Sequence, residues 1–401
     1  MNNKIKVRLI SSFAGLIFSA CQMTMPAAPE ENTLLDGHIE GLSNEQQRQF
    51  LLGDEAFAET FTSESGVGPT FVATSCISCH GGDGKGHPST SLTRFGQDTP
   101  GQNTFLDKGG PQLQNRAIPG YQPENLPPNS SPSIFLPPAV TGLGFLDAVS
   151  DADLMALEDS LDTDGDGISG KANWVIPQDY VNLRPNSIAH PNFANRYIGR
   201  VGKKAAAYDV LVQTANAYNQ DMGVTSSLEP IDPYTGLEVE QDVDLNTIRE
   251  VVFYLKTLKA PLRRDEDDAN VILGEKIFEQ IECAKCHTPT MTTGESSISA
   301  LANKEFHPYT DLLLHDMGPS LDDNYTEGNA ETAEWRTPVL WGLGLSKDSQ
   351  GGSYFLLHDG RATSIEDAIQ MHGGEAANAS NLYGGLSTED KERLIKFLES
   401  L

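Results

Sequence analysis

The sequence predicts a mainly α-helical chain made of two units of like design, the first enlarged by long irregular loops. Three observations predict it. A Cys-x-x-Cys-His pentapeptide occurs twice, at Cys76-Ile77-Ser78-Cys79-His80 and at Cys283-Ala284-Lys285-Cys286-His287. Each copy is approached by a helical stretch, Gly53-Asp54-Glu55-Ala56-Phe57 leading to Phe71 in one and Gly274-Glu275-Lys276-Ile277-Phe278 in the other, with a Phe five residues before the first Cys. Each copy is also followed by an amphipathic segment. One begins near Asp244 and closes on Tyr254-Leu255-Lys256-Thr257-Leu258; the other begins near Ser387 and closes on Phe397-Leu398-Glu399-Ser400-Leu401. A helix into the thiol pair and a final helix packed back on it make a small all-helical unit.

The pentapeptide carries chemistry. Two thiols one short turn apart can form thioethers to the two vinyl groups of one porphyrin, while the adjacent imidazole reaches the iron. A bare Cys-x-x-Cys is more often a redox dithiol or half a zinc site. The following His, and above all the second copy, decide for haem c. The expected cofactors are two covalent haems, held through Cys76, Cys79 and His80 and through Cys283, Cys286 and His287, so each unit reads as cytochrome c-like.

In chain order, Lys4, Lys6 and Arg8 precede an apolar run from Leu9 to Phe18 and the small pair Ser19-Ala20, which reads as a signal peptide over 1–20. Of the five cysteines, Cys21 is the one outside the haem motifs. Residues 21–45, rich in Pro, Ala, Glu and Asn, read as a tether. The N-terminal haem unit is expected over 46–262 and the C-terminal one over 269–401, divided by the charged run Arg263-Arg264-Asp265-Glu266-Asp267-Asp268. Between His80 and Asp244 the first unit holds a Pro, Gly and Asn-rich excursion, with Pro127-Pro128 and Pro137-Pro138, which predicts loops covering one haem. A plain electron carrier needs no such cover; a catalytic pocket often does.

Inside that excursion Asp162-Thr163-Asp164-Gly165-Asp166-Gly167-Ile168 alternates carboxylates ahead of a tight turn, as a calcium loop does. Position twelve is Asn173 rather than Glu, which argues against an EF-hand. A structural Ca²⁺ on Asp162, Asp164, Asp166 and the Ile168 carbonyl, and a plain Asp/Gly turn, both remain open. Charge bounds the partners: 28 basic against 56 acidic residues give −28, so nucleic acid is excluded as a partner. A solvated periplasmic surface or a docking face for a basic electron donor fits this balance.

Further stretches carry a resemblance. Tyr309-Thr310-Asp311-Leu312-Leu313-Leu314-His315-Asp316-Met317-Gly318, then Trp335-Arg336-Thr337-Pro338, then the run from Tyr354 through His358-Asp359-Gly360-Arg361 to Ile369, resemble the bacterial di-haem cytochrome c peroxidases and MauG enzymes. The chain is most similar to the di-haem oxidoreductases once labelled thiol oxidoreductases, through Gly66–Phe71, Asp164–Gly170 and Ile198-Gly199-Arg200 as well. Phe18-Ser19-Ala20-Cys21 resembles a bacterial lipobox, which implies a lipidated Cys21; Phe18 stands where Leu is usual, so cleavage without lipidation stays open. Gln22 after it implies, by analogy, the outer membrane.

The resemblance implies roles. Ile365, Ala368, Ile369 and His372 share one helical face behind a Thr363 or Ser364 cap, and a His there is most often a core residue. His372, however, lies fourteen residues after His358, the spacing at which the peroxidases place a Met ligand and MauG-like enzymes a Tyr. His372 is therefore the expected second ligand of the Cys283/Cys286 haem, with Met371 and Met317 as substitutes. Two imidazoles usually set a lower potential than His/Met. Chemistry then falls to the Cys76/Cys79 haem, which has no obvious second ligand: His87 and His190 could reach it, but each reads first as a loop histidine. Gln213 and Asp221-Met222-Gly223 sit where the family has its pocket Gln and Glu-Met-Gly, making Asp221 the expected acid/base. Trp335 and Trp341 are candidates to relay electrons; His315, His358 and Arg361 are expected to bond propionates or orient the pocket. The expected activity is reduction of a small-molecule oxidant such as hydrogen peroxide. A non-enzymatic electron-transfer cytochrome and MauG-like oxidation of a partner protein are the alternatives.

Overall fold

The computed structural model describes residues 30–96 and 111–401. The signal peptide and Cys21 lie outside these residues. The mainly α class is what is found, and the internal repeat is its frame. In the first unit α1 (Asn44–Ala58) starts at a Ser43 capping box closed by Gln46, followed by α2 (Leu143–Asp147), α3 (Asp151–Leu157), α4 (Val210–Asn216) and α5 (Leu245–Thr257). The second unit has α6 (Ala269–Gln280), α7 (Ser346–Ser349), α8 (Ile365–Gln370), α9 (Ala377–Gly384) and α10 (Thr388–Ser400). Asp244, Asp268 and Ser387 cap α5, α6 and α10 by accepting from first-turn N–H groups, satisfying donors the helix leaves orphaned.

The two units superpose in their logic residue by residue. A Cβ on Gly53 would lie 2.2 Å from the Glu250 carbonyl and 2.6 Å from Tyr254 Cβ; one on Gly274 would lie 2.1 Å from the Arg393 carbonyl and 2.7 Å from Phe397 Cβ. So α1 crosses α5, and α6 crosses α10, at backbone contact. One turn later Phe57 meets Tyr254 and Phe278 meets Phe397, each pair with ring centroids 5.4 Å apart. The same two Phe rings then flank the motif histidines, at 6.3 Å from His80 and 6.4 Å from His287. Phe57, not Phe71, is thus the counterpart of Phe278. The first unit inserts a loop between helix and motif, and Phe71 belongs to a short ribbon within it, paired with Arg116.

Because backbone atoms face both glycines, no side-chain rotation can make room. Gly274→Ala is expected to cost about 1–3 kcal/mol of stability through overpacking; denaturant unfolding of the holo-protein would check it, and a wild-type midpoint would count against the close crossing.

Five two-stranded antiparallel ribbons, not one sheet, fill the described loops. Each unit has its own core, Phe57, Ile248, Val251 and Tyr254 in the first and Val271, Phe278, Leu394 and Phe397 in the second. A third core is shared: Leu146, Val149, Trp174 and Ile198 of the excursion pack with Met291, Phe306, Leu312 and Trp341. The expected tether also differs from what is found over its described end. Ile39 and Leu42 are buried with Ile298 and Leu301, and the Ile39 N–H donates to the Thr257 carbonyl at 2.8 Å. Two apolar residues three apart were enough to anchor a segment whose composition read as linker. In the charged divider, Arg263 forks onto Glu275 at 3.0 and 2.9 Å and Arg264 Nη1 donates to the Leu401 carbonyl at 3.3 Å, so the run is fastened to the second unit.

Candidate functional site: one cavity between two cysteine motifs

Both motifs open onto one cavity of about 510 Å³, lined by Cys76, Cys79 and His80 at one end and Cys283, Cys286 and His287 at the other. Each motif begins as a short 3₁₀ turn, and the four thiols are unpaired. The histidines are oriented alike. His80 Nδ1 donates to the Pro138 carbonyl at 2.8 Å and His287 Nδ1 to the Tyr309 carbonyl at 2.9 Å. A carbonyl only accepts, so Nδ1 carries the proton and Nε2 the lone pair. Burial holds both imidazoles down at about 4, hence neutral, against the opposing pull of those carbonyls. Tyr309 stands at φ 54, a left-handed conformation uncommon for a large residue, with its carbonyl against His287. Paired thiols and a neutral imidazole with Nε2 free are the donor set haem c requires, and the site has it twice.

His372 joins the second end. Ser364 caps α8 by accepting the Asp367 N–H, and the helix delivers Ile365, Ala368, Ile369 and His372 to the cavity wall. His372 Nδ1 donates to the Ala368 carbonyl at 2.6 Å, and burial lowers its pKa as it does that of His287 on the same wall. It is the third imidazole here with Nε2 unengaged. Of its substitutes, Met317 lines the cavity, whereas Met371 is 36% exposed and does not. His87 and His190 lie off the cavity, each with Nδ1 accepting local backbone N–H groups.

Gln213 and Asp221 both line the first end. Asp221 closes a π-helical turn, Ala217–Asp221, that extends α4; such turns are rare and recur at functional sites. Its carbonyl accepts from the Val72 and Ala73 N–H groups at 2.7 and 3.0 Å, pinning the turn to the segment that enters the first motif. Burial pushes its carboxyl up to about 7, with Arg94 pulling the other way. Arg94 is a residue the sequence did not point to. Its guanidinium meets Glu327 at 2.7 Å and Gln220 at 3.2 Å, and Tyr325 donates to the same Glu327 oxygen at 2.7 Å. Glu327 comes from the second unit, so no local motif could announce the cluster.

Several expected roles change. His315 donates from Nδ1 to Glu375 at 2.7 Å and from Nε2 to Asp311 at 2.8 Å. Burial opposes a charge there, but bonds to Asp311, Cys286 and Glu375 override it and push the imidazole up to about 12. With both nitrogens protonated it has no lone pair for a metal. His358 stacks on Trp335 at 3.7 Å with Nε2 2.9 Å from Asp323, and Arg361 is held by Asp359 at 2.6 Å. All three are engaged by the chain's own carboxylates rather than left for propionates. Trp335 and Trp341 both line the cavity. In the acidic loop, Asp162 and Asp164 converge with Asp159, while Asp166, expected as a third calcium ligand, turns to Lys285 Nζ at 3.2 Å. Lys285 belongs to the second haem motif, and the other Asp166 carboxylate oxygen still accepts the Ile168 N–H of the loop at 2.9 Å.

A family model described as "Di-haem oxidoreductase, putative peroxidase" matches residues 136–401, and one described as "Cytochrome c" matches residues 67–157. Among curated proteins none matches. Among solved structures the chain is similar to Kuenenia stuttgartiensis hydrazine synthase pressurized with xenon, at 14% identity over 99% of this chain and 100% of that one, TM-score 0.38. It is similar also to a MauG-like protein associated with microbial copper homeostasis, at 14% identity over 94% of each chain, TM-score 0.40. The family model covers the Cys283/Cys286 motif, Gln213, Asp221 and His372, and the cytochrome c model covers the Cys76/Cys79 motif. The chain belongs to the di-haem oxidoreductase family, an oxidoreductase whose cytochrome c unit implies haem c.

Proposed function

We propose that the protein is a periplasm-facing peroxidase, anchored to the outer membrane through a lipidated Cys21, with two covalent haems. Electrons from a periplasmic donor enter at the Cys283/Cys286 haem and pass to the Cys76/Cys79 haem, where an oxidant such as hydrogen peroxide is reduced. One asymmetry carries this reading. The second end of the cavity offers two neutral imidazoles, His287 and His372, whereas the first offers His80 with Gln213, Asp221 and Arg94 around it. A second end closed by two imidazoles suits passing electrons on, and a first end with one suits an incoming oxidant.

Bound haem supplies one-electron redox chemistry and an iron to which an oxidant can bind. The chain supplies protons and position. Reducing hydrogen peroxide to two waters consumes two electrons and two protons, so a group must carry a proton from one oxygen to the other. Asp221, with its carboxyl near neutrality and Arg94 behind it, is that group, and the Gln213 amide orients the oxidant. Trp335 and Trp341, both on the cavity wall, are the aromatic groups available to couple its two ends. The acidic surface suits a basic donor.

Fully reduced protein mixed anaerobically with hydrogen peroxide should be reoxidised with two electrons taken per peroxide. Protein that stays reduced would leave an electron carrier, not a peroxidase.

A further inference from the structure

The cavity wall is largely apolar, but one stretch of it is cationic. Lys85, Lys203 and Arg336 all line it. Lys85 lies five residues beyond His80, Lys203 lies in the loop before α4, and Arg336 ends the short strand Glu334–Arg336 of the second unit. Lys203 and Arg336 are joined through backbone, and Lys85 is fastened separately to the second unit. The Arg336 N–H donates to the Lys203 carbonyl at 2.9 Å, and its guanidinium donates to the Gly202 and Thr337 carbonyls at 2.9 and 3.1 Å. The Lys85 carbonyl accepts from Ser349 Oγ at 2.8 Å, and the next carbonyl, Gly86, from Gln350 Nε2 at 2.9 Å.

Lys204, the next residue along, shows a satisfied buried lysine. Its ammonium donates to the Glu331, Thr332 and Glu334 carbonyls at 2.9, 3.1 and 2.6 Å and sits 4.0 Å over the Trp335 ring. Among the described residues Lys85 and Lys203 have no such acceptors. Burial alone brings Lys85 down to about 8. Lys203 is driven well below the usual lysine range by burial and by repulsion from Lys85 and Arg336, with Asp359 the one carboxylate in its favour. Three cations gathered in an apolar cavity are costly unless an anion completes the site.

The position selects the anion. Lys203 bears on His80, whereas the charge that bears most on the Cys76 and Cys79 thiols is Asp221. Lys203 is thus the cation that bears on the iron-ligating residue of the first motif, and Lys85 and Arg336 bear on Lys203 in turn. In haem c the thioether-forming groups occupy one edge of the porphyrin and two propionates the opposite edge. Resting on the two-haem reading above, we propose that Lys85, Lys203 and Arg336 form the propionate-docking site of the haem attached at Cys76 and Cys79. Two of the cations come from the first unit and one from the second, so docking fastens both units around one haem edge.

The test uses holo-protein whose haem count has been measured by pyridine haemochrome and intact mass. Lys203→Gln removes a positive charge beside the carboxylates, which favours ferric iron. One haem's reduction equilibrium should therefore fall roughly tenfold, about 59 mV for one electron, while the other haem is unmoved. Lys85→Gln with Lys203→Gln should lower it further. Propionate bending bands in the resonance Raman spectrum should move in Lys203→Gln and return in Lys203→Arg, which a merely structural role would not produce. Unchanged potentials and propionate bands in a double variant that carries two haems would overturn the proposal. So would a change of axial ligation in Lys203→Gln, which would make Lys203 an iron ligand. A wild-type chain with fewer than two haems would overturn the two-haem reading itself, and the docking site with it.

Discussion

Asp221→Asn is expected to lower kcat/KM for hydrogen peroxide about 10²–10⁴-fold, with both haems attached and their spectra unchanged. The substitution keeps the shape of the side chain and removes its proton chemistry. The size of the effect follows from where Asp221 sits: half-buried at the first end of the cavity, on a π turn fixed to the segment that enters the first motif, with its carboxyl pushed up to about 7. As the base that first accepts a proton it must be ionised, so wild-type kcat/KM should rise through about pH 7, and the variant should lack that limb. Linkage adds an independent check. A carboxyl whose folded pKa is raised above its ordinary 3.8 stabilises the fold fully below that value and loses the contribution as pH rises through about 7. Asp221→Asn should accordingly be the more stable protein at pH 8, an advantage that vanishes toward pH 4. A loss of activity under threefold would reduce Asp221 to an ordinary helix-end carboxylate.

His372→Ala should convert one haem, and only one, from low spin to high spin. Its imidazole lies half-buried on the cavity wall it shares with His287, with Nδ1–H given to Ala368 and Nε2 unengaged. Removing it leaves a space of imidazole size, so added imidazole should restore the low-spin spectrum. Peroxide turnover should fall with it, because two imidazoles set the potential at which this haem passes electrons on. An unchanged spectrum would remove His372 as a ligand. A His/Met charge-transfer band in the variant would show Met317, which lines the same cavity, taking its place.

The two motifs, the helices that flank them and the caps at Asp244 and Ser387 were legible because each is a local pattern. Gly53 and Gly274 were visible as a repeat, but not as the points where paired helices touch. The displaced alignment of Phe71 shows the limit: a five-residue spacing matched, while the ring that flanks His80 is Phe57, beyond an inserted loop. The carbonyls of Pro138 and Tyr309, which set the tautomers of His80 and His287, carry no side-chain signature at all; a Pro-Pro pair signalled only a loop. Arg94 with Glu327, and Lys203 with Arg336, join residues more than a hundred positions apart, so only the packing of the two units brings them together. The contact of Asp166 with Lys285 was hidden for the same reason, since Lys285 comes from the other unit. His372 was reachable because helical periodicity and the distance from His358 converge on it.

The account turns on where an oxidant meets iron, and the spin state of the two haems tests that most directly. Electron paramagnetic resonance of wild-type holo-protein, ferric and again after one-electron reduction, should show a low-spin ferric signal that is lost on reduction, as the electron settles on the Cys283/Cys286 haem, and a high-spin ferric site, present from the start or appearing on reduction. That high-spin site should bind an added small anion, and it should persist in His372→Ala, where a second one joins it. Two haems that stay low-spin in every redox state and bind no added ligand would contradict the account, leaving no iron at Cys76–His80 open to an oxidant.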